Sequence, residues 1–428
     1  MKVHRPLLVQ AAQLVAELLR FEEPADRTVS RYFRARRRLG RADRAFLAET
    51  GYAVLRRLRS LERAAGSRDP RALVLAALAR VRGFSARALE DALAPAEAEF
   101  VARVRAFDAR NLSPAERLDL PDWLWARLVA QEGEAEAHAL ARALLEPAPL
   151  DLRVNLAKLG RDEALERLGL PARPTPYSPA GLRLEGKPAI EEHPLFRAGA
   201  VEVQDEGSQL LAYLLAPRRG ERVADYCAGA GGKTLALAML MRGTGRVYAM
   251  DVSARRLAQL APRAARAGVS NIQPIVLEGE NDPRAKRLAG KLDRVLVDAP
   301  CSGFGTLRRN PDLKWRHTAA ALAEMSARQR RILAAAARLV KPGGRLVYAT
   351  CSLLEEENEA VADAFAHEAA AEFAPLHCGE LLARQRIVLD TGIYLRLRPH
   401  RHHTDGFFAA AFGRKPQASE EFPCESPR

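Results

Sequence analysis

From residue 216 onward, short apolar runs alternate with segments of helical spacing, and this alternation limits the fold more than any other feature. The runs typical of buried strands lie at residues 222–225, 246–251, 272–277, 293–297, 344–348, 393–397 and 406–412. Helical segments separate them at residues 233–241, 254–267 and 319–339. Repeated strand–helix units predict an α/β domain over residues 216–414, with a doubly wound parallel sheet and ligand sites at the carboxyl ends of its strands.

The residues before this domain predict two further parts. Apolar residues recur at helical spacing through residues 1–110 and predict an all-α domain, in which Asp43 is the expected N-cap of a helix at 44–55. Residues 111–215 predict a small α+β connector. It comprises a helix starting near Pro121, a short strand at 152–155 and a Pro-rich loop at 171–176. The polar residues 415–428 are predicted to form a disordered tail.

The chain is strongly basic. Its 428 residues include 67 lysines and arginines against 53 aspartates and glutamates, which gives a net charge of +14. This excess indicates a polyanionic partner, most simply nucleic acid, unless the arginines merely cover helix surfaces. Residues 31–38 are either a phosphate-contacting face with two aromatic residues or a solvated helix face. Arg153 and Asn155, on the predicted short strand, are expected to face RNA.

Several classes of protein are excluded by what the sequence lacks. It has no run of 18 apolar residues and no signal-peptide core, which predicts a cytoplasmic protein without membrane contact. Five cysteines do not make a disulfide scaffold, and no CxxC or HxxxH spacing indicates a metal site. His400, His402 and His403 are expected to face solvent or phosphate. Cys378 and Cys424 lie outside any motif.

Two cysteines follow directly on predicted strands. They stand in Asp298-Ala299-Pro300-Cys301 and in Ala349-Thr350-Cys351-Ser352. Because both tetrapeptides lie at strand ends of one α/β domain, we expect the two thiols to face one pocket. A cysteine thiolate is a strong carbon nucleophile, whereas a lone cysteine at a strand end is usually a small buried apolar residue. From the residue types alone, either cysteine could be the nucleophile.

A glycine-rich turn follows the first strand of the α/β domain, in residues 225–234 (DYCAGAGGKT). Its glycines allow close backbone approach to a ligand, and the helix that follows offers free N–H groups. A phosphate-binding GxxxxGK[ST] loop would need glycine at position 227, which is cysteine. Asp251 ends the next strand, 26 residues after Asp225, and suits a grip on ribose hydroxyls. The pair fits an adenosine cofactor without pyrophosphate, and S-adenosylmethionine is the leading candidate.

In these motifs the chain resembles the RNA 5-methylcytosine methyltransferases. The resemblance lies in residues 225–234, 298–303, 309–315 and 348–352, supported by residues 203–209 and 405–408, and it spans about residues 150–413. In layout the chain is most similar to the bacterial RsmB-type enzymes that act on 16S rRNA, and residues 43–61 resemble their NusB-like helical extension. The resemblance implies a class I, Rossmann-like S-adenosylmethionine-dependent methyltransferase domain preceded by an abbreviated NusB-like domain that binds RNA.

The family pattern also implies a role for each motif residue. Cys351 would add to C6 of cytosine and turn C5 into an enamine-like nucleophile, and Cys301 would assist product release. Asp298 would hold the N3/N4 edge of the base, and Lys233 would contact the cofactor carboxylate or the base and favour a thiolate. Cys301 is the alternative nucleophile, because DNA cytosine methyltransferases use a Pro-Cys thiol.

The implied cofactor site has two parts. The backbone of the glycine turn would cradle the methionine portion, with the thiol of Cys227 given no chemical role; this turn comprises Cys227, Ala228, Gly229, Ala230, Gly231, Gly232 and Lys233. Asp251 would bind the ribose and Arg256 would support Asp251. Glu280 stands where the family has an aspartate near the adenine, with Asp282 as the second candidate.

These observations lead to one hypothesis and two alternatives. The first is an RNA cytosine-C5 methyltransferase that acts as a monomer on structured RNA, with 16S rRNA as substrate and the target base splayed from its stack. The alternatives are a tRNA substrate and a non-catalytic RNA-binding factor of ribosome assembly that retains the cofactor fold.

Overall fold

The structure is a computed structural model that describes residues 3–416, and its contacts divide the chain into two units that do not follow chain order. Of the described residues, one unit contains 3–148, 302–322 and 399–401, and the other contains the remainder. The domain boundaries predicted at residues 110, 215 and 414 stay predictions. Residues 417–428 of the tail predicted at 415–428, Cys424 among them, lie outside the described residues.

The first unit is helical. Its helices are α1 (Arg5–Leu18), α2 (Ala25–Ala35), α3 (Arg41–Arg56), α4 (Leu58–Ala65), α5 (Pro70–Arg80), α6 (Ala86–Leu89), α7 (Pro95–Ala106), α8 (Pro114–Arg117), α9 (Asp122–Glu132) and α10 (Glu134–Leu145). Gly40 is the N-cap of α3, so the N-cap prediction for Asp43 is wrong. The helix begins before Asp43, and its carboxylate lies in the first turn, where it complements the positive end of the helix dipole. Within residues 3–416 no helix is long and apolar enough to cross a membrane.

The second unit begins with a small antiparallel sheet. Its elements are β1 (Leu150–Val154), α11 (Arg161–Leu168), β2 (Ala172–Pro174), β3 (Gly181–Leu184), α12 (Pro194–Arg197), β4 (Val201–Val203) and α13 (Glu206–Leu215), with strand order β2-β3-β1-β4. The prediction of a loop at residues 171–176 is wrong, because β2 pairs with β3. β2 is the edge strand, where a proline can be accommodated.

Arg153 and Asn155 lie in and just after β1 and are both buried, so the prediction that they face RNA is wrong. The Arg153 guanidinium donates to the carbonyl of Gly232 at 2.9 Å. The Asn155 amide donates to the carbonyls of Gly199 and Ala267 at 3.2 and 3.1 Å. Both side chains are buried because backbone carbonyls accept their hydrogen bonds. The alternation of residues along a strand does not show that such acceptors are nearby.

The remaining elements of the chain, which include the strands of the main sheet, follow in chain order. They are β5 (Arg222–Asp225), α14 (Gly232–Leu240), β6 (Arg246–Asp251), α15 (Ala254–Leu257), α16 (Leu260–Ala267), β7 (Ile272–Val276), α17 (Pro283–Lys286), β8 (Leu292–Asp298), α18 (Leu313–Arg316), α19 (Ala319–Ala337), β9 (Val340–Thr350), α20 (Glu359–Glu368), β10 (Phe373–Leu376), α21 (Cys378–Ala383), β11 (Leu395–Leu397), α22 (Pro399–His402) and β12 (Phe407–Arg414). The strand order is β10-β12-β9-β8-β5-β6-β7, with β11 paired to β12.

The predicted α/β class is confirmed, with two corrections. Strands β9, β8, β5, β6 and β7 are parallel, whereas β12 is antiparallel to β9, β10 and β11. The prediction that the whole sheet is parallel is therefore wrong. Apolar runs identify strands but do not encode their direction. The helix predicted at 254–267 is divided into α15 and α16. Because β5 lies between β8 and β6, the strand order reverses at its carboxyl end, which is the usual ligand site of such sheets.

Residues 302–322 connect β8 to α19 in sequence but pack within the helical unit, on the carboxyl end of α3. Trp315 donates its indole N–H to the carbonyl of Leu55 at 2.8 Å, and Lys314 donates to that of Arg56 at 2.9 Å. Burial lowers the pKa of Lys314 to about 7, although nearby Asp119 favours its charged form. The Trp315 ring packs against the hydrophobic core of the helical unit.

Candidate functional site

The turn between β5 and α14 has a conformation that requires glycine. Gly229 and Gly231 have φ angles of +55° and +85°, in the left-handed region. A Cβ atom would collide with the Arg256 guanidinium at Gly229 and with the Leu260 side chain at Gly231. The sequence therefore uses glycine to turn the backbone sharply over α15 and α16 at the point where the sheet order reverses.

Asp251, at the end of β6, holds this turn. Its carboxylate accepts hydrogen bonds from the backbone N–H groups of Gly229 and Ser253, both at 2.7 Å. Arg256 was predicted to support Asp251, but its guanidinium lies against Gly229 instead, and backbone amides satisfy the carboxylate. The Arg256 guanidinium fits at this position because Gly229 has no side chain.

Asp225, at the end of β5, is fully buried and only partly satisfied. One carboxylate oxygen accepts a hydrogen bond from the Thr234 hydroxyl at 2.7 Å, and the other has no partner among the described residues. Burial raises the pKa of Asp225 to about 6, although the hydrogen bond from Thr234 opposes the shift. An unpaired buried acceptor at this place is suited to a ligand donor.

A cavity of about 650 Å³ opens at the carboxyl ends of β5, β6, β8 and β9. It brings together most of the predicted site residues: Cys227, Asp251, Arg256, Glu280, Asp298, Cys301 and Cys351. Ala228, Gly229, Ala230, Gly231 and Gly232 shape the adjoining turn but are not among its lining residues. Within residues 3–416 no group of three or more His, Cys, Asp or Glu side chains is arranged to hold a metal ion.

Of the two acidic candidates after β7, Glu280 lines the cavity and Asp282 does not. The Asp282 carboxylate is buried and caps α17, accepting from the N–H groups of Glu278 and Arg284 at 2.8 and 2.7 Å. The geometry therefore favours Glu280 for any contact with a ligand. Glu280 itself lies 3.6 Å from the Arg331 guanidinium.

The two motif cysteines face each other. β8 and β9 are paired in parallel up to Asp298 and Ala349, so the loops that follow start side by side. The sulfur atoms of Cys301 and Cys351 are 3.4 Å apart and share a hydrogen bond. This hydrogen bond and burial raise the pKa of Cys301 well above its ordinary value. The Cys301 thiol is therefore held in its protonated form beside the Cys351 sulfur.

A largely buried cation lies near this pair. The Lys233 ammonium, at the start of α14, forms an ion pair with Asp298 at 2.7 Å. Burial lowers the pKa of Lys233, but this effect is outweighed. Attraction and hydrogen bonding to Asp298, and then the nearby Cys351, raise the pKa of Lys233 above its ordinary value.

Burial raises the pKa of the Cys227 thiol, and Asp298, Asp225 and Asp251 raise it further. This thiol therefore stays protonated.

Several residues of the site are not predicted by the sequence motifs, and two of them are on α19. Arg328 and Ile332, one turn apart on α19, line the cavity. Their spacing of four residues places them on one helix face, which is the signal that could have identified them. Arg153 supports the glycine turn through the carbonyl of Gly232, and its pKa is lowered by burial to about 10. Nothing in its local sequence marks this long-range contact.

Comparison with known proteins first defines the class. A crystal structure titled as that of PH0851 superposes with a TM-score of 0.76 and 27% identity, covering 96% of this chain and 100% of that one. A methyltransferase homolog from Pyrococcus horikoshii superposes with a TM-score of 0.60 and 32% identity, covering 72% of this chain and 100% of that one. The chain is a Rossmann-like methyltransferase with an N-terminal helical region.

The sequence comparisons then define the family. Residues 212–413 match the model of the 16S rRNA methyltransferases RsmB/F, and residues 120–191 match that of the ferredoxin-like domain of RsmF/B-like methyltransferases. A probable ribosomal RNA small subunit methyltransferase B from Synechocystis is 39% identical over 309 residues, 71% of this chain and 68% of that protein. The chain belongs to the RsmB/F family of 16S rRNA methyltransferases, which confirms the predicted resemblance.

Proposed function

We propose that this protein methylates C5 of a cytosine in 16S rRNA, with S-adenosylmethionine as methyl donor. The observation that carries the proposal is the pair of thiols 3.4 Å apart, which line one cavity together with Asp298. Methyl transfer to C5 of cytosine needs a nucleophile at C6, because C5 alone is a weak carbon nucleophile. Family membership and the net charge of +14 support an RNA substrate.

The residues present fit S-adenosylmethionine. Asp251 and Glu280 line the cavity. Each carboxylate oxygen of Asp251 accepts one backbone N–H and would retain a lone pair for a ribose hydroxyl, and Glu280 would accept from the adenine amino group. The backbone of the glycine turn, which adjoins the cavity, would hold the methionine portion, and the unpaired oxygen of Asp225 lies at the end of β5 just before this turn. When bound, S-adenosylmethionine supplies a methyl group activated by a positively charged sulfur atom.

The chain's own residues would perform the remaining chemistry. The Cys351 thiolate would add to C6, and the electron pair of the C5=C6 bond would move into the ring while Asp298 holds the N3/N4 edge. Lys233, paired with Asp298 at 2.7 Å, would stabilise both the thiolate and the negative charge that develops. C5 would then form its bond to the methyl group. A water molecule would take the C5 proton, the electron pair of the C5–H bond would restore the C5=C6 bond, and the C6–S bond would break with its electron pair returning to Cys351. Cys301 would assist this release from its position beside the Cys351 sulfur.

A groove in the helical unit supports the RNA part of the proposal. It has a volume of about 990 Å³ and is lined by Arg5, Arg34, Arg36, Arg37 and Arg38, with Asp43 as its acidic residue. We call it the arginine groove. The structure records no ion pair for any of these five arginines among the described residues, and Arg36 stacks on Tyr32 at 3.6 Å. Unpaired guanidinium groups around a concave surface suit a phosphate backbone, the first of the two interpretations of residues 31–38.

Removal of charge from the arginine groove is expected to weaken RNA binding and its salt dependence. The triple variant Arg34→Ala/Arg37→Ala/Arg38→Ala should reduce the slope of log K against log salt concentration by about 2 to 3, because each lost phosphate contact removes about 0.7 to 0.9. Fluorescence anisotropy with a 16S rRNA fragment at several salt concentrations measures this slope.

A matched control removes three arginines that are already neutralised by glutamates. Arg31 pairs with Glu17 and Glu23, Arg63 with Glu116, and Arg68 with Glu62. The triple variant Arg31→Ala/Arg63→Ala/Arg68→Ala has the same net charge and should leave the slope nearly unchanged. Equal losses in the two triple variants would mean that net charge, and not the groove, binds RNA.

Bisulfite sequencing of total RNA from cells with and without the protein tests the proposed function. We expect one cytosine of 16S rRNA to lose its methylation when the gene is deleted. A site lost only from tRNA would contradict the rRNA substrate. Unchanged methylation, together with RNA binding but no S-adenosylmethionine binding by calorimetry, would favour the non-catalytic assembly factor. The cytoplasmic location and the monomeric state stay predictions.

A further inference from the structure

A buried polar network lies behind the two cysteines. It joins Gln329 on α19, Glu357 in the 3₁₀ turn Glu355–Glu357, and Ser352 in the loop after β9. Each of these side chains is completely buried, among the apolar residues that cover the main sheet. Polar groups in such a place have a large desolvation cost, so their arrangement calls for an explanation.

The network connects the backbone segment that contains Cys301 with the segment that contains Cys351. The Gln329 amide donates to the carbonyl of Pro300, which precedes Cys301, at 2.9 Å, and to the Glu357 carboxylate at 3.1 Å. The second carboxylate oxygen of Glu357 accepts a hydrogen bond from the hydroxyl of Ser352, which follows Cys351. We call this chain of contacts the Gln329–Glu357 bridge.

The bridge begins where the strand ladder ends. The last paired residues of β8 and β9 are Asp298 and Ala349, and one further backbone hydrogen bond joins Ala299 to Ala349 at 2.8 Å. Both cysteines lie beyond this point, where the sheet no longer sets the distance between the two backbones. A connection that attaches to the residue before Cys301 and to the residue after Cys351 is therefore able to fix the separation of the sulfur atoms.

The 3₁₀ turn that carries Glu357 is itself anchored to β9. The Tyr348 hydroxyl donates to the carbonyl of Glu357 at 2.6 Å, and the Asn358 amide donates to the carbonyl of Ser352 at 3.2 Å. The Thr350 hydroxyl donates to the Asn358 side chain at 2.5 Å. The carboxylate thus sits on a rigid support rather than on a mobile loop.

The bridge is not an arrangement that stability alone would select. Both N–H contacts of the Gln329 amide are used by the bridge, whereas its oxygen is buried with no partner among the described residues. Well-packed apolar residues are often as stable as a buried charged network, or more so. Glu357 also adds to the effects that hold a proton on Cys301, after the hydrogen bond to Cys351 and burial.

We propose that Gln329 and Glu357 are positioning residues that hold the loops of Cys301 and Cys351 at the thiol–thiol spacing that catalysis requires. The inference rests on the proposed function of the two thiols. The bridge acts through hydrogen bonds and not through substrate contact, so its loss should affect the chemical step and leave RNA binding unchanged.

The test uses the full-length protein in three variants. Gln329→Leu removes both amide contacts at similar volume, and Glu357→Asp withdraws the carboxylate by one methylene group. Glu357→Gln removes the charge but retains an acceptor for Gln329 and a partner for Ser352. For Gln329→Leu and Glu357→Asp we expect kcat to fall by about 10²-fold with KM for RNA unchanged, since misplacement by about 1 Å has an effect of this size. Glu357→Gln should stay within about threefold of wild type, if hydrogen bonding and not charge is what matters.

A second measurement reports the thiol spacing without any methyl transfer. Diamide oxidises two neighbouring thiols to a disulfide, and formation of the Cys301–Cys351 bond can be followed by mass spectrometry of the intact chain, with Cys301→Ser as blank. Because the bond needs a narrow range of backbone separations, it should form several-fold more slowly in Gln329→Leu and Glu357→Asp than in wild type or Glu357→Gln.

The outcomes are distinct. A wild-type disulfide rate in both Gln329→Leu and Glu357→Asp would overturn the inference whatever happens to kcat, as would equal losses in Glu357→Gln and Gln329→Leu. If Gln329→Leu does not fold, Glu357→Asp decides alone. If the wild-type protein methylates no RNA, the proposed function fails, while the disulfide rates still decide whether the bridge sets the spacing.

Discussion

Replacement of Cys351 by alanine is expected to abolish methyl transfer, with kcat lowered by roughly 10⁴-fold or more, as for the loss of other enzymatic nucleophiles. Without a thiolate at C6, C5 of cytosine cannot become nucleophilic enough to accept a methyl group. The measurement is single-turnover transfer of radiolabelled methyl from S-adenosylmethionine to a 16S rRNA fragment. Binding of RNA and of S-adenosylmethionine should stay close to wild type, because the substitution removes one small side chain.

Cys378 provides the matched control. It is fully buried, is not among the cavity-lining residues, and its sulfur lies 3.6 Å from the carbonyl of Ala409. Cys378→Ala should lower the melting temperature modestly and leave the rate of transfer per folded molecule unchanged. If Cys351→Ala retained more than a few per cent of wild-type activity, Cys351 could not be the nucleophile.

Replacement of Cys301 by alanine should have a different effect: it should trap the covalent enzyme–RNA adduct. The attacking thiol remains in this variant, but the group that assists release, 3.4 Å from it, is missing. The adduct would appear on a denaturing gel as a slowly migrating band that contains both protein and labelled RNA. We expect a large fraction of the enzyme in this band, against almost none for the wild type.

The double variant Cys301→Ala/Cys351→Ala is the control for the adduct, and no band should form. The opposite pattern, in which Cys301→Ala turns over normally and Cys351→Ala accumulates the band, would show that the two roles are exchanged. That result would make Cys301 the nucleophile, the alternative suggested by the Pro-Cys thiol of DNA cytosine methyltransferases.

Much of the fold was predictable because its signals are local. Apolar runs identified β5, β6, β7, β8 and β9, and glycine spacing identified the turn before α14. The proximity of Cys301 and Cys351 followed from one topological rule, that carboxyl ends of parallel strands meet at one edge of the sheet. The structure adds that β8 and β9 are direct neighbours, which is why the sulfur atoms come within hydrogen-bond distance. The chemical roles of these residues stay predictions.

The features that escaped prediction depend on contacts between distant parts of the chain. Arg153 looked like an exposed recognition residue, yet it is buried and reaches a carbonyl 79 residues away. The antiparallel direction of β12 depends on how the chain returns to the sheet, which no window of sequence records. Asp282 caps a helix, whereas Glu280, two residues before it, lines the cavity. In each case the deciding partner lies outside the local motif or competes with it.

The position of residues 302–322 has a consequence for engineering. A fragment that starts at about residue 149 would keep Lys314 and Trp315 but lose the acceptors Arg56 and Leu55 together with the helical core that covers them, so apolar surface of residues 302–322 would be exposed to water. The same holds for chimaeras in which the N-terminal helices are exchanged to redirect the enzyme to another RNA. Such grafts should retain α3 together with residues 302–322 as a single cassette, because these segments are separate in the gene but form one folded body.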